Sequence, residues 1–481
     1  MPADSEEEED TLPVTEAPVV QTISASKKRR NKKNKNKAAV VGGEAASPEE
    51  GEENVPTNGA DEKTATKKRN KKRGHGAKKL PTHVLPAQDN SALRCLGDWK
   101  EITTAQTSPP TVQIEKLFPK KSFPLGEIQE YTGSNAYRTT SAEMKEADKV
   151  IEEDVINMRE AAECHRQVRK YAQTIARPGI KMIDLCQAIE GKTRELLGAP
   201  PMGSDDPNFL AKGYGFPTGC SLNNVAAHYS PNYGDNTVLK EGDICKLDFG
   251  TQVGGRIADC AFTIAFDPKF DPLIEATKEG TRAGVNFAGI DARFSEIGEV
   301  IQEAIESYEF LERDGAEAIP IKAIENLSGH SLGKYQMHGG QGVPIVKNDE
   351  PGCMEEGQFY AIETFASTGR GYCIEEGECS HYMRTFDLDS HVASQQLRLK
   401  GARGLLHTIN KYFSTLPWCR RWLDDCGATR HLLSLKSLVD NEVVVPYPPL
   451  VDVKGSYSSQ SEHSIILRST CKEVVTRGDD Y

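Results

Sequence analysis

Five side chains able to hold a metal stand inside segments otherwise built for burial: Asp248 in KLDFG, Asp259 in RIADC, His330 in NLSGHSLG, Glu363 in FYAIETFAS and Glu462 in QSEHSIIL. A carboxylate pointing inward from an apolar strand is costly unless it is paired or bound to a cation. Asp248 and Asp259 flank Val253-Gly254-Gly255, a hairpin signal, so they are expected nearly opposite each other on neighbouring strands. Two such carboxylates side by side repel, and a divalent cation relieves both the repulsion and the burial. Glu363 sits between Ala361-Ile362 and Phe365-Ala366, and Glu462 leads into Ile465-Ile466-Leu467. Four carboxylates and one imidazole suit Mn²⁺, Co²⁺ or Fe²⁺ better than a thiolate zinc cage. Singly, an Asp in a strand or a His in a core is more often structural; the weight lies in the conjunction.

The elements that must position these groups follow from the pattern. Residues 140–197 read as two helices interrupted at Pro178-Gly179, because apolar residues recur at helical spacing on both sides. Short strand-forming segments follow (TGCSLNNVAAHY, DICKLDFGTQVGG, RIADCAFTIAF), then helix in PLIEATKEGTRAGVNFAG and FSEIGEVIQEAIESY. A further β-like set runs from NLSGHSLGKYQMHGG through QFYAIETFAS. The reading is α+β, with helices laid on an antiparallel sheet.

The rest of the chain bounds the class. Of 481 residues, 59 are Lys or Arg and 71 are Asp or Glu, and the net charge of −12 argues against a folded body that coats nucleic acid. No stretch approaches the roughly 18 consecutive apolar residues of a membrane span, and the opening MPADSEEEED lacks the pattern of a secretory signal. A cytoplasmic location is therefore expected. The 12 cysteines fall at irregular intervals, never as C-x-x-C, and are read as reduced. Residues 1–85 alternate acidic runs with the basic blocks KKRRNKKNKNK and KKRNKKR and contain few large apolar residues, so they are expected to be a disordered, charged tail. Residues 86–122 are read as an extended lead-in.

In order and wording, HYSPN, the hairpin, NLSGHSLGKYQMHGG, YAIETFASTG, ECSHYMRTF, PYPPL and the closing EHSIILRSTCKEVVTRGDDY resemble the methionine aminopeptidases of the pita-bread metallopeptidase fold. The resemblance spans residues 123–481 and is to the eukaryotic type-2 group. Glu363 and Glu462 stand 99 positions apart, far beyond a short connection, and NKYFSTLPWCRRWLDDC and TRHLLSLKSLVDNEVV within that interval read as helices. A helical insert at about 383–447 is a mark of type 2. No cysteine precedes Cys95, whereas type-1 eukaryotic enzymes carry N-terminal zinc-finger cysteines.

What the resemblance implies is specific. The activity would be co-translational removal of the N-terminal methionine from nascent polypeptides whose second residue is small (Gly, Ala, Ser, Thr, Val, Pro or Cys). Asp248, Asp259, His330, Glu363 and Glu462 would hold two divalent ions, Mn, Co, Fe or Zn, with Asp259 and Glu462 bridging and Asp248 on the second ion. His228 would serve proton transfer at the leaving amine, His338 would contact the substrate amide, and Glu363 would double as proton shuttle. Phe216, His381 and Tyr447 would wall the methionine pocket. The expected partners are the ribosome and eukaryotic initiation factor two, both through the charged tail, with no membrane and no sequence-specific nucleic acid; the chain is expected to be a monomer.

Two other readings share part of this pattern. A prolidase or an aminopeptidase acting before proline has the same ligand types, but the NLSGHSLGKYQMHGG and ECSHYM wording and the long insert weigh against it. A non-catalytic binding protein on this fold would have no need of five costly buried ligands. Two departures from the family pattern stand out. Gln252 and Gly254 predict a looser hairpin turn, and the insert, HVASQQLRLKGARG especially, diverges and leaves the rim of the site open.

Overall fold

Gly254 and Gly255 join strand Ile244–Val253 to strand Arg256–Ala265, and both take positive φ, 57° and 84°. A two-residue hairpin turn of this hand needs the left-handed region at both positions, which glycine enters without a Cβ clash. Gln252, where a looser turn is expected, ties the turn instead: its Oε1 accepts from Gly255 N at 3.0 Å and its Nε2 donates to Leu210 O at 3.0 Å. The computed structural model describes residues 105–480, so the expected tail at 1–85 and most of the lead-in lie outside the described residues.

The turn fixes the register, and the register corrects one expectation. Asp248 is paired with Ala261 and Asp259 with Gly250, so the two acids are not opposite each other but lie diagonally on one face, two residues out of step. The Asp248 strand is central in a three-stranded antiparallel sheet, paired on its other side with the bulged strand Lys212–Leu222. The remaining candidate ligands belong to a second, seven-stranded antiparallel sheet. There strand Phe359–Ser367 lies between Ser328–Ser331 and Ser458–Leu467, with Glu363 directly opposite Glu462 and Ala361 opposite His330. Because side chains alternate with period two, His330, Glu363 and Glu462 share a face.

The two sheets meet through hydroxyl groups. Ser464 Oγ accepts from Asp259 N at 2.9 Å and donates to Asp259 O at 2.7 Å. Thr263 Oγ1 likewise accepts from Gln460 N at 2.8 Å and donates to Gln460 O at 2.7 Å. Each hydroxyl satisfies an N–H and a C=O that would otherwise be buried unpaired.

Helices cover both sheets, with one break that periodicity does not announce. The first expected helix is two, Ala142–Asp148 and Glu152–Ile175, followed by Met182–Leu197. The two are joined by a tighter 3-10 turn, Lys149–Ile151, beside the buried Asp148 carboxylate, which is bound at the 468–470 turn by Arg468, by Ser469 N at 3.2 Å and by Thr470 Oγ1 at 3.1 Å. Helix Glu152–Ile175 crosses the Asp248 strand: His165 stacks on Phe249 with ring centroids 4.0 Å apart, and Thr251 Oγ1 donates to Ala161 O. Helices Asp271–Phe287 and Phe294–Glu306 form as expected and lie on the larger sheet, where Thr281 Oγ1 donates to Ser461 O and Thr364 Oγ1 to Thr277 O. Of the lead-in, the part from residue 105 is docked rather than merely extended: helix Ile114–Leu117 buries Ile114 completely.

The insert also departs from its sequence reading. Residues 410–426 are not one helix: helix Lys400–Tyr412 ends, Ser414 takes φ 54°, and a short strand, Trp418–Cys419, precedes helix Arg420–Asp425. Pro417 cannot continue a helix, and Trp418 after it is fully buried beside Phe413 and Tyr382, with centroids 5.7 and 5.2 Å away. The second expected insert helix runs Leu432–Asp440. Among the described residues, no helix is long and apolar enough to cross a membrane.

Close approach of the His330 and Glu363 strands depends on Gly329, where a Cβ would lie 2.5 Å from Ala361 O and 3.2 Å from Glu363 N, both backbone atoms. Gly329→Ala must therefore push the strands apart. We expect it to lower stability by about 1–3 kcal/mol, the range for overpacking a tight site, measured as a shift in the denaturant midpoint; an unchanged midpoint would disprove the contact.

Candidate metal centre

The hairpin and the larger sheet each present their acids to the same space. His330 Nε2 lies 3.6 Å from Asp259 Oδ2 and 3.6 Å from Glu363 Oε1. Asp259, His330 and Glu462 each offer a ligand atom, all within 4.8 Å of one another. Asp248 joins through Gln460, whose Nε2 donates to Asp248 Oδ2 at 3.1 Å and to Glu363 Oε2 at 3.3 Å. All five residues singled out in the sequence are thus brought together. Gln460 is the member that sequence reasoning missed; it stands two residues before Glu462 in QSEHSIIL, which puts it on the same face of the strand, and that spacing was the available signal.

The electrostatics of this cluster are lopsided. Burial pushes Asp248 up to about 6. It pushes Asp259, Glu363 and Glu462 well above the usual carboxylate range, and repulsion adds to it: Asp248 acts on Asp259, both aspartates act on Glu363, and all three act on Glu462. Among the described residues no lysine or arginine is paired with Asp248, Asp259 or Glu363, and Asp248 Oδ1 is buried with no hydrogen-bond partner. His330 is held down near 3, first by burial and then by His338, so it is a neutral imidazole able to give a lone pair. Buried negative charge, an orphaned carboxylate oxygen and a neutral imidazole fit a divalent metal.

A row of rings borders the cluster. His338 stands over His330 with centroids 4.7 Å apart, Tyr447 lies 5.8 Å from His338 and 5.7 Å from His228, and His228 lies 6.0 Å from His381. His228 follows strand Val225–Ala227 and takes φ 64°, a conformation that a non-glycine residue adopts only when its surroundings impose it. Its Nδ1 is buried without a partner, and burial, then His381 and His338, push it down to about 3. His381 and Tyr447 are cross-strand neighbours, so the insert brings its tyrosine to the site on the strand that pairs with His381–Arg384. Burial also lowers His381, to about 4, against a Pro217 carbonyl that favours its charged form. Phe216, one residue earlier, packs its ring on Gly250, the partner of Asp259. His381 and Tyr447 thus belong to the ring row and Phe216 lies on the hairpin, while a separate cavity of about 270 Å³ behind the Glu462 strand is lined by charges of both signs and shares none of the ligand candidates.

Comparison with known proteins identifies the family. The model of Metallopeptidase family M24 matches residues 156–399, which contain four of the five ligand candidates. The chain is 50% identical over 376 residues to methionine aminopeptidase 2A of Arabidopsis thaliana, covering 78% of this chain and 82% of that protein. It is 50% identical over 380 residues to methionine aminopeptidase 2 of Schizophyllum commune, covering 78% and 86%. Among solved structures, a thermophilic Arx1 superposes with a TM-score of 0.54 at 18% identity, over 71% of this chain and 92% of that one, a likeness of fold.

Raised carboxylate pKa values mean that protons must leave before a cation binds, so affinity should fall as pH falls. For Mn²⁺ titrated into metal-free protein by calorimetry, we expect affinity to weaken by at least about fourfold between pH 7.5 and 5.5, the share of Asp248 alone, with net proton release. An affinity independent of pH would refute the charge assignment.

Proposed function

The chain belongs to metallopeptidase family M24, among its type-2 methionine aminopeptidases, and on that premise we propose how it removes the N-terminal methionine. The substrates are nascent polypeptides whose second residue is small. Two divalent ions, of Mn, Co, Fe or Zn, would be held by Asp248, Asp259, His330, Glu363 and Glu462. When bound, they would polarise the scissile carbonyl and lower the pKa of a nucleophilic water.

The chain's own residues do the rest. His228, kept neutral by burial with Nδ1 free of partners, exchanges a proton with the leaving amine; a group already protonated at neutral pH could not accept one. His338, exposed beside His330, donates to the substrate amide. Glu363, whose Oε1 faces His330 Nε2 at 3.6 Å inside the cluster, relays a proton between water and the amine. Phe216, His381 and Tyr447 hold the thioether side chain and exclude water from it. The observation that carries this reading is the convergence of five ligand groups, of which Asp248, Asp259 and Glu363 are paired with no lysine or arginine among the described residues, beside a row of histidines that includes neutral His228.

The test is release of methionine from Met-Ala-Ser and Met-Pro peptides, with Lys-Ala-Ser as control, by metal-free protein reloaded with Mn²⁺ or Co²⁺. Asp259→Asn should abolish release and His228→Ala should lower kcat by about 10²–10⁴, the usual share of general acid–base catalysis. Folded protein that releases nothing with any metal, or that cleaves Lys-Ala-Ser equally, would overturn the reading.

We further propose that the basic blocks of residues 1–85 hold the enzyme at the ribosome in the cytoplasm by salt-sensitive phosphate contacts, as a monomer. Deleting 1–85 should abolish co-sedimentation with ribosomes at low salt; undiminished co-sedimentation would disprove it.

A further inference from the structure

Glu190 on helix Met182–Leu197 and Arg421 on insert helix Arg420–Asp425 form an ion pair with Arg421 1% and Glu190 5% exposed. The pair is bidentate: Arg421 Nη1 and Nη2 each donate to a Glu190 oxygen at 2.9 Å. Glu190 also accepts from Trp422 Nε1 at 3.0 Å and from Thr218 N at 3.3 Å. A buried pair of this kind gives little net stability over apolar residues of the same shape, so its other contacts are informative. Arg421 Nε donates to Pro231 O at 2.8 Å, and Nη2 donates to Ser230 Oγ at 2.9 Å. Both acceptors lie within three residues of His228.

His228 sits in the left-handed region, and such backbone persists only where neighbours over-determine it. On its C-terminal side Tyr229 O accepts from Cys220 N at 2.8 Å, and Ser230 N donates to Ser380 Oγ at 3.3 Å. The guanidinium of Arg421 then fixes Ser230 and Pro231, and Glu190 fixes the guanidinium. We propose that Arg421 is a positioning residue for His228, anchoring the Ser230-Pro231 segment that holds the strained histidine at the reaction site. This rests on the role given to His228 above. The insert thereby acquires a second role, since besides supplying Tyr447 it braces a histidine of the body. A lysine cannot replace this arginine, because one ammonium cannot span two Glu190 oxygens, Ser230 Oγ and Pro231 O in one plane.

The test uses the full-length enzyme reloaded with Mn²⁺, assayed well below its thermal midpoint. Arg421→Lys should lower kcat on Met-Ala-Ser by about tenfold or more, as expected when a reacting group is misplaced, with KM and the Mn²⁺ dissociation constant changed less than about threefold. Ser230→Ala, which leaves the Glu190 pair whole, should lower kcat in the same direction by a smaller factor. In a His228→Ala background, Arg421→Lys should cost nothing more in kcat, because the two act as one unit. A wild-type kcat in folded Arg421→Lys, or losses that multiply with those of His228→Ala, would overturn the proposal. If Arg421→Lys fails to fold, Ser230→Ala decides, and a wild-type kcat there overturns it. A His228→Ala enzyme with wild-type kcat would instead bring down the reading of His228 itself, and the positioning role with it.

Discussion

Four carboxylates crowded into one buried space repel one another, and the chain does little to cancel that repulsion. Gln460 gives one amide to Asp248 and Glu363, and Asp259 and Glu462 share a hydrogen bond, but no cation of the chain is paired with Asp248, Asp259 or Glu363 among the described residues. The fold supplies the rigidity this needs. Each acid is mid-strand, each strand is paired, and helices seal the outer faces, so the acids cannot relax apart by turning toward water. The cluster is strained toward accepting a cation, and that strain organises the site.

The same constraint explains how the two sheets are joined. Asp259 comes from the small sheet and Glu462 from the large one, so their distance depends on the seam between them. Ser464 bonds both backbone groups of Asp259 itself, and Thr263 does the same for Gln460. A short side chain with one hydroxyl sets a spacing that a backbone ladder would not, and it does so at the residues whose carboxylates and amide meet in the site. Small polar residues at these positions are therefore as much part of the metal centre as the acids.

What the sequence made legible and what it hid follow one rule: local energetic penalties can be read, three-dimensional partners cannot. Asp248, Asp259, Glu363 and Glu462 stood out because a carboxylate in an apolar strand is costly wherever the strand goes. The hairpin stood out because Gly254-Gly255 is itself the turn. The diagonal offset of the two aspartates required the exact turn length, and Asp148, where the first helix ends, is bound by Arg468, some 320 residues away, which no helical periodicity records. The insert misled because apolar spacing in NKYFSTLPWCRRWLDDC hid a legible local penalty, Pro417, which cannot continue a helix, while burial of Trp418 against Phe413 and Tyr382 was not legible. Arg421 was invisible for the same reason: a charged residue in an amphipathic segment reads as solvent-facing until its partner Glu190 is known.

The insert packs around its own aromatic nucleus, Phe413, Trp418 and Trp422, yet lends Tyr447 to the ring row and lies against the body at Tyr214, whose ring stacks on Trp422 at 4.5 Å. A segment with its own interior can exchange surface residues without disturbing the strands that carry the acids. Arg421 is the exception, because its partners Glu190, Ser230 and Pro231 all belong to the body, so a change there reaches past the insert.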